Sequence, residues 1–400
     1  MTSSSSLTFL NNLYHVLLGK ESCSAEKYVK ILLGAYCLMA IISQFNNFDF
    51  SYYNFRKTLE ACGYFISFLI LTSFFLSYEG FEKKLFLIVI IFFSLGYFTI
   101  LSFQTLKYLP IDYPHWNKIF HRTLYPNLPL FYKWLNFFSY HTFVKYGGRI
   151  NFLSGVVFSS LNSAVLWSTA LGVFLYSYKY ISRRSKISLF FSIVILSLAV
   201  LFSYTRATVF PLCASSLVVV FFCFTKKNAL LRASILFIIG SFFFVFVASS
   251  HSYQARLGSL QRHFTQYKFE KWKKAQTFIT HKMSKLDYLV GIGHAEYYNS
   301  QGLNGNIENQ YIQEFVDKGV LGILIYISLL VSYFYVGLTG FTRLPSHCWH
   351  RGVSWGLIVF TPVLIIHTLF ESQYRSAIPW LMAFMAAIIV SKLKQREHAL

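Results

Sequence analysis

Long apolar runs separated by polar segments dominate the chain. Each run is close to the ~20 residues that a helix needs to cross the hydrocarbon core of a bilayer. The runs cover residues 29–46, 61–78, 85–103, 152–177, 187–203, 209–224, 230–249, 319–338, 354–370 and 377–392. They predict an all-α polytopic integral membrane bundle of about 10–12 transmembrane helices, in which we find no internal repeat.

The longest segment without a candidate span after the middle of the chain is residues 250–318. It is long enough for a loop with short helices outside the membrane. We therefore predict three units: an N-terminal transmembrane bundle over 1–249, this loop, and C-terminal transmembrane helices with a tail over 319–400.

Composition supports the membrane assignment, and charge adds an orientation. Hydrophobic residues make up 55% of the chain, and Lys plus Arg outnumber Asp plus Glu by 36 to 15. In a soluble protein this excess would suggest nucleic acid, but membrane proteins keep Lys and Arg in cytoplasmic loops. We therefore expect no nucleic-acid partner. Basic loops that are predicted to be cytoplasmic occupy residues 178–186, 225–232, 339–351 and 391–400.

The opposite face also carries cations, which the orientation rule does not explain. Between residues 250 and 318 there are nine Lys and Arg against six Asp and Glu. The cations are Arg256, Arg262, Lys268, Lys271, Lys273, Lys274, Lys282, Lys285 and Lys318. An anionic ligand on this outer face is the simplest reason for them.

Two further arginines occur at outer membrane boundaries. Arg206 lies in "LFSYTRATVFPL", between two apolar runs. It either extends into lipid head groups or binds phosphate oxygens through its bidentate guanidinium. Arg375 follows Glu371 by four residues in "FESQYRSAIP". This spacing predicts either an ion pair one helical turn apart or a role for Arg375 in substrate binding, and the first does not exclude the second.

The stretch "NIENQYIQEFVDKG" contains another candidate, Glu308. Asn306 is the predicted N-cap of the following helix, which places Glu308 in the first turn. The helix dipole alone favours an acid there. A carboxylate at this position is also suited to accept a proton from an incoming hydroxyl.

The segment before this helix, "GIGHAEYY", has glycines at 291 and 293. Two close glycines predict a tight turn or a close approach of backbone to backbone. We expect His294, which follows, to be exposed. The six cysteines form no CxxC pair, so the sequence predicts neither a disulfide framework nor a zinc site.

Three stretches together resemble the O-antigen ligase and polymerase superfamily of Gram-negative inner membranes. They are "YTRATVFPL" (204–212), "GIGHAEYY" with "NIENQYIQEFVDKGVLGILIY" (291–326), and "FESQYRSAIP" (370–379). The similarity spans roughly residues 150–390 and is closest to enterobacterial O-antigen ligases. Such proteins transfer a glycan from undecaprenyl diphosphate to an acceptor on the periplasmic face. The resemblance implies that they need no metal ion or other cofactor, so that arginines hold the diphosphate.

The resemblance gives the candidate residues roles. It implies that Arg206 binds the diphosphate and that Arg375 assists it. Family ligases read "HN" where this chain has Glu308 and Asn309, so the implied catalytic base is a glutamate here. Lys268 falls where an arginine is common. The implied catalytic residues are therefore Glu308 and Arg206, and the implied substrate-binding residues are Arg375, Lys268, Arg262, Arg256, His294 and Asn309.

Several functions stay open at this level. The leading hypothesis is a ligase that joins O-antigen to lipid A–core oligosaccharide, and the second is a polymerase that extends the lipid-linked chain. A flippase or other transporter of lipid-linked glycan, and a subunit that binds such a glycan without reacting it, are the rivals from other classes. The ligase and polymerase hypotheses place the protein in the bacterial inner membrane with its active face in the periplasm.

Overall fold

The computed structural model describes residues 8, 11–14, 16, 23–46, 52–78, 80–108, 156–178, 181–202, 212, 268–293, 307, 309–345, 348–370 and 378–397. Within these ranges the long elements are all helices and no β-strand occurs. The helices are α1 (Ser24–Asn46), α2 (Tyr52–Ser77), α3 (Phe81–Tyr108), α4 (Val156–Ser177), α5 (Arg183–Phe202), α6 (Phe269–Lys282), α7 (Lys285–Val290), α8 (Gln310–Arg343), α9 (Trp349–Phe370) and α10 (Ile378–Glu397). The predicted all-α class is confirmed.

Five helices in the described part of the chain are long and apolar enough to cross a membrane. They are α1, the Phe55–Ser77 part of α2, α8, α9 and α10. The chain is therefore a multi-pass membrane protein. The predicted spans 85–103 and 187–203 fall in α3 and α5. The predicted span 230–249, and 209–224 apart from Leu212, lie outside the described residues.

Polar contacts define the two ends of the bundle. At the lower end, where α1 begins and α10 ends, the Lys394 ammonium lies 3.1 Å from the Glu26 carboxylate. At the upper end the Asn46 side-chain amide, on the last residue of α1, donates to the Asp287 carboxylate at 2.9 Å and to the Gly291 carbonyl at 2.8 Å. The short helix α7, which contains Asp287, therefore lies at the upper end, which the charge pattern predicts to be periplasmic.

Small residues let α4 and α9 approach closely. A Cβ added to Gly172 would overlap the carbonyl of Gly352, and one added to Gly356 would overlap the backbone of Thr169. The Ser168 hydroxyl donates to the Gly356 carbonyl at 3.3 Å. Such contacts are typical of helix pairs in membranes, where dispersion and interhelical hydrogen bonds replace the hydrophobic effect.

Helix α8 begins later than the sequence analysis expected. Its N-cap is Asn309, whose side-chain oxygen accepts a hydrogen bond from the Ile312 amide at 3.0 Å. The prediction that Asn306 caps this helix is wrong, and Glu308 precedes the helix instead of lying in its first turn. Asparagine is a favoured cap residue and occurs at both positions. Asn309 makes a second contact besides the cap, since its side-chain amide donates to the Leu369 carbonyl.

Helix α8 is broken near its first third. Gly319 has φ 68° and ψ −165°, which lies far from helical values. The break separates a short upper section, with several buried polar residues, from the long apolar section that crosses the membrane. Residues with a side chain rarely adopt this backbone conformation, and glycine adopts it without steric cost.

Candidate functional site

The structure describes two of the eight predicted site residues, Lys268 and Asn309. Outside the described residues lie the other six: Arg206, Arg256, Arg262, His294, Glu308 and Arg375.

Lys268 and Asn309 both bind the C-terminal end of α9. The Lys268 ammonium donates to the Phe370 carbonyl at 2.5 Å, and the Asn309 amide donates to the Leu369 carbonyl at 2.9 Å. The last carbonyls of a helix lack partners within the helix, and they attract donors and cations. These two contacts tie the starts of α6 and α8 to the residues that directly precede Glu371 in the sequence.

The glycine-rich turn packs against the break in α8. Gly291 and Gly293 have φ 79° and 77°. The amides of Ile292 and Gly293 donate to the carbonyls of Val316 and Asp317, each at 3.0 Å. In an unbroken helix those carbonyls would accept from amides four residues further on, beyond Gly319. The turn therefore satisfies carbonyls at the break, and the predicted close backbone approach is confirmed.

We expect Gly291→Ala to destabilise the protein more than Gly80→Ala. Both glycines have positive φ, which costs a non-glycine residue on the order of 1–3 kcal/mol. A Cβ on Gly291 would also overlap the backbone of Asp317 and Lys318, whereas one on Gly80 would meet nothing within 4 Å. Denaturant unfolding of both variants in detergent micelles measures the difference. Equal losses would mean that the turn yields without disturbing α8.

A cavity of about 90 Å³ lies between α1, α2 and α8 near the glycine-rich turn. Its polar wall carries amide, hydroxyl and charged groups, and its apolar wall carries leucines and a methionine. The polar lining includes Gln44, Lys57, Thr58, Glu60, Gln310, Gln313, Glu314, Asp317 and Lys318, and the apolar lining includes Leu33, Leu329, Leu330, Leu364 and Met382. The volume is enough for several water molecules or a small polar group.

A buried ion pair between Glu314 and Lys318 forms the centre of the polar wall. The Lys318 ammonium lies 2.5 Å from Glu314 Oε2, and the glutamate side chain is only 2% exposed. The other carboxylate oxygen accepts from the Tyr36 hydroxyl at 2.8 Å and from the Gln310 amide at 2.7 Å. Lys318 also lies 4.4 Å from the centre of the Tyr36 ring. Both charges are thus compensated, as burial requires.

Further polar pairs extend this wall. The Gln313 amide donates to the Asp317 carboxylate at 2.7 Å. On α2, the Lys57 ammonium lies 2.8 Å from the Glu60 carboxylate. At the floor, the buried Tyr333 hydroxyl has no hydrogen-bond partner among the described residues. The cavity is therefore lined by cations, carboxylates and the Tyr333 hydroxyl on one side and by apolar side chains on the other. Such a lining suits a ligand that has a polar group attached to an apolar one.

Sequence reasoning missed this polar cluster. In the first part of α8 the apolar Val320 is 38% exposed, whereas the charged Glu314 and Lys318 are buried. The Glu-to-Lys spacing of four residues was a detectable signal for the pair. Nothing in the sequence pointed to Tyr36, which is 278 residues away along the chain from Glu314.

No family model matches the chain, and no curated protein matches it at a significant level. Among the described residues, no group of three or more His, Cys, Asp and Glu side chains is arranged to hold a metal ion.

Proposed function

We propose that the protein transfers a glycan from undecaprenyl diphosphate to an acceptor at the upper end of the bundle, as an O-antigen ligase of lipopolysaccharide biosynthesis. One observation carries the proposal: Lys268 and Asn309 both bind the carbonyl end of α9. These contacts join parts of the chain that lie beside the family-like stretches around Glu308 and Arg375. The basic composition of residues 250–318 supports an anionic donor at the same end.

The proposed chemistry is attack by an acceptor hydroxyl on the anomeric carbon of the donor sugar. The bond to the diphosphate breaks, and negative charge develops on the leaving group. Stabilising that charge is usually the largest contribution in such a site, which is the role we assign to Arg206 with Arg375. Glu308 accepts the proton of the attacking hydroxyl, a contribution of typically about 10²–10⁴-fold. The membrane-embedded polyprenyl chain needs an apolar surface beside the polar site.

A polymerase is the alternative, because the same bond chemistry extends the lipid-linked chain instead of capping a core oligosaccharide. The lipopolysaccharide gel pattern of a deletion strain distinguishes the two. If the protein is a ligase, the deletion strain should lose all O-antigen from lipid A–core while polymer remains on undecaprenyl diphosphate. A polymerase predicts a core that carries a single repeat unit. An unchanged pattern contradicts both proposals.

We expect the upper end to face the periplasm. Cysteines placed at positions 206, 308 and 375 of a cysteine-free variant should react with a membrane-impermeant reagent in intact cells. Cysteines at positions 183 and 226 should react only after permeabilisation, because the basic loops belong inside. Labelling of position 183 but not of 308 in intact cells would reverse the orientation and exclude a periplasmic active face.

We expect Glu308→Gln to slow transfer while the donor still binds, since the amide cannot accept the proton. Glu308→His should retain part of the activity, because imidazole is also a base and occupies this position in the ligases that the chain resembles. The measurement is the transfer rate of purified protein with undecaprenyl diphosphate-linked glycan and core acceptor. Glu270, an exposed acid in the first turn of α6, is the matched control, and Glu270→Gln should transfer normally. A wild-type rate for Glu308→Gln would remove Glu308 from the mechanism.

A further inference from the structure

A cluster of three reactive groups lies at the lower end of the bundle, remote from the proposed glycan site. The Cys348 sulfur lies 2.8 Å from His350 Nδ1. On the other side of the ring, His350 Nε2 lies 3.3 Å from the Glu82 carboxylate. A thiol, an imidazole and a carboxylate thus form a line through the two ring nitrogens. Because the ring separates the sulfur from the carboxylate, the three cannot share one metal ion.

Local structure explains how the cluster is held. Cys348 directly precedes α9, and a turn fixes it, since its amide donates to the Pro345 carbonyl at 3.1 Å and its carbonyl accepts from the Arg351 amide at 3.0 Å. His350 lies in the first turn of α9, and Glu82 lies in the first turn of α3. Both of these side chains are only 4% exposed. Packing therefore fixes the base and the acid, whereas the thiol is partly accessible.

The order of the groups matches that of an activated nucleophile. The carboxylate of Glu82 favours the tautomer in which His350 carries its proton on Nε2. Nδ1 then has a free electron pair directed at the thiol and can take its proton. The start of a helix stabilises the resulting thiolate. Burial raises the pKa of Cys348, but the hydrogen bonds and charge of His350, together with the charge of Lys392, outweigh burial and hold the pKa below its ordinary value.

A second cysteine at the same end shows the contrast. Cys23 directly precedes α1 and is buried. Burial raises its pKa to about 11. A thiol at that pKa is almost fully protonated at neutral pH, and only the thiolate is a strong nucleophile. Among the described residues, the lower end of the bundle therefore carries the activated thiol of Cys348 and the protonated thiol of Cys23, which makes Cys23 an internal comparison.

Cations near Cys348 indicate the charge of its reaction partner. Lys392 of α10 is close enough for its charge to lower the pKa of Cys348. Arg351 follows in the same turn, where its guanidinium lies 4.5 Å from the centre of the Phe341 ring. Positive charge attracts an anionic reagent and gives no advantage to a neutral one such as hydrogen peroxide. The predicted orientation places this end in the cytoplasm, where thiols stay reduced.

We propose that Cys348 is an S-acylation site that takes an acyl group from an anionic acyl thioester, with His350 as base and Glu82 as the residue that orients it. The Cys348 sulfur attacks the thioester carbonyl carbon while His350 takes the thiol proton. The bond from that carbon to the leaving sulfur then breaks, and His350 returns the proton to the leaving thiolate. The products are an S-acyl cysteine and a free thiol, without net oxidation or reduction. An acyl chain attached at the membrane boundary would insert into the bilayer and fix the loop before α9.

The test uses the purified full-length protein in detergent micelles with palmitoyl-coenzyme A as the probe. Mass spectrometry should find one hydroxylamine-sensitive palmitoyl group on Cys348, formed at least about tenfold faster than on Cys23, with Cys348→Ser as the blank. His350→Gln should slow the transfer about 100-fold or more, the scale of a lost general base, and Glu82→Gln should slow it less, because the base is retained but no longer oriented.

The pH dependence of Cys348 alkylation in the wild-type protein distinguishes an activated thiol from one with a merely structural role. This wild-type measurement does not require any variant to fold. The midpoint of the alkylation rate of wild-type Cys348 by iodoacetamide against pH should lie below the ordinary thiol pKa of about 8.5. In folded His350→Gln protein the midpoint should move upward, because burial then raises the pKa without the opposing contribution of His350. Acylation no faster than that of Cys23, or a wild-type profile of an ordinary thiol, would overturn the proposal. Rapid alkylation without any acyl transfer would overturn the acyl assignment.

Discussion

Replacing Arg206 with lysine should slow glycan transfer nearly as much as replacing it with alanine. We expect each variant to lose about 2–4 kcal/mol of transition-state stabilisation, or roughly 30- to 1,000-fold in rate, the range for one removed electrostatic donor. The reason is geometric. A guanidinium holds two phosphate oxygens through parallel hydrogen bonds, and an ammonium is a point charge that cannot reproduce the fork.

The measurement for Arg206 is the single-turnover rate of purified protein with undecaprenyl diphosphate-linked glycan, together with donor binding. Arg183, an exposed residue at the start of α5, is the matched control, and Arg183→Lys should transfer at the wild-type rate. Near-normal transfer by Arg206→Lys would show that the arginine only anchors the membrane boundary. Loss in both substitutions with intact donor binding would place its effect in the chemical step.

Hydropathy alone was enough to locate the described membrane helices but not their ends. The predicted span 354–370 is observed as α9 (Trp349–Phe370), and 377–392 as α10 (Ile378–Glu397). The missed residues at the lower ends include several polar or charged ones, among them His350, Arg351 and Lys394. A hydropathy window stops at such residues, although backbone hydrogen bonding continues the helix beyond the hydrocarbon core.

The polar cluster could not be predicted in the same way, because in a membrane bundle an apolar side chain need not face the core of the protein. In lipid, apolar side chains such as Val320 can face outward, and ionisable side chains turn to the interior, where they find partners. Those partners come from helices far apart in the sequence. Tyr36 on α1 and Glu314 on α8 meet only after the bundle has formed, so no local pattern encodes their contact.

Removing one member of the Glu314–Lys318 pair should destabilise the protein strongly. We expect Glu314→Gln to cost on the order of 3–5 kcal/mol in the free energy of unfolding, because it leaves the Lys318 charge buried without its carboxylate. The control is the exposed pair Arg343–Glu397, whose charged atoms lie 3.7 Å apart. Glu397→Gln should cost at most about 1 kcal/mol, the range for surface ion pairs. Denaturant unfolding in detergent micelles measures both.

The double variant Glu314→Leu with Lys318→Met decides whether the cost of the single change comes from the stranded charge. Apolar replacement of both members removes both buried charges, so the double variant should be more stable than Glu314→Gln. It should still fall short of the wild type, because the Tyr36 hydroxyl loses its acceptor, at about 1–3 kcal/mol for a group left unsatisfied. Adding Tyr36→Phe should recover part of that deficit. If the double variant were instead less stable than Glu314→Gln, the cost would arise from packing around the cavity, and the charges themselves would not explain it.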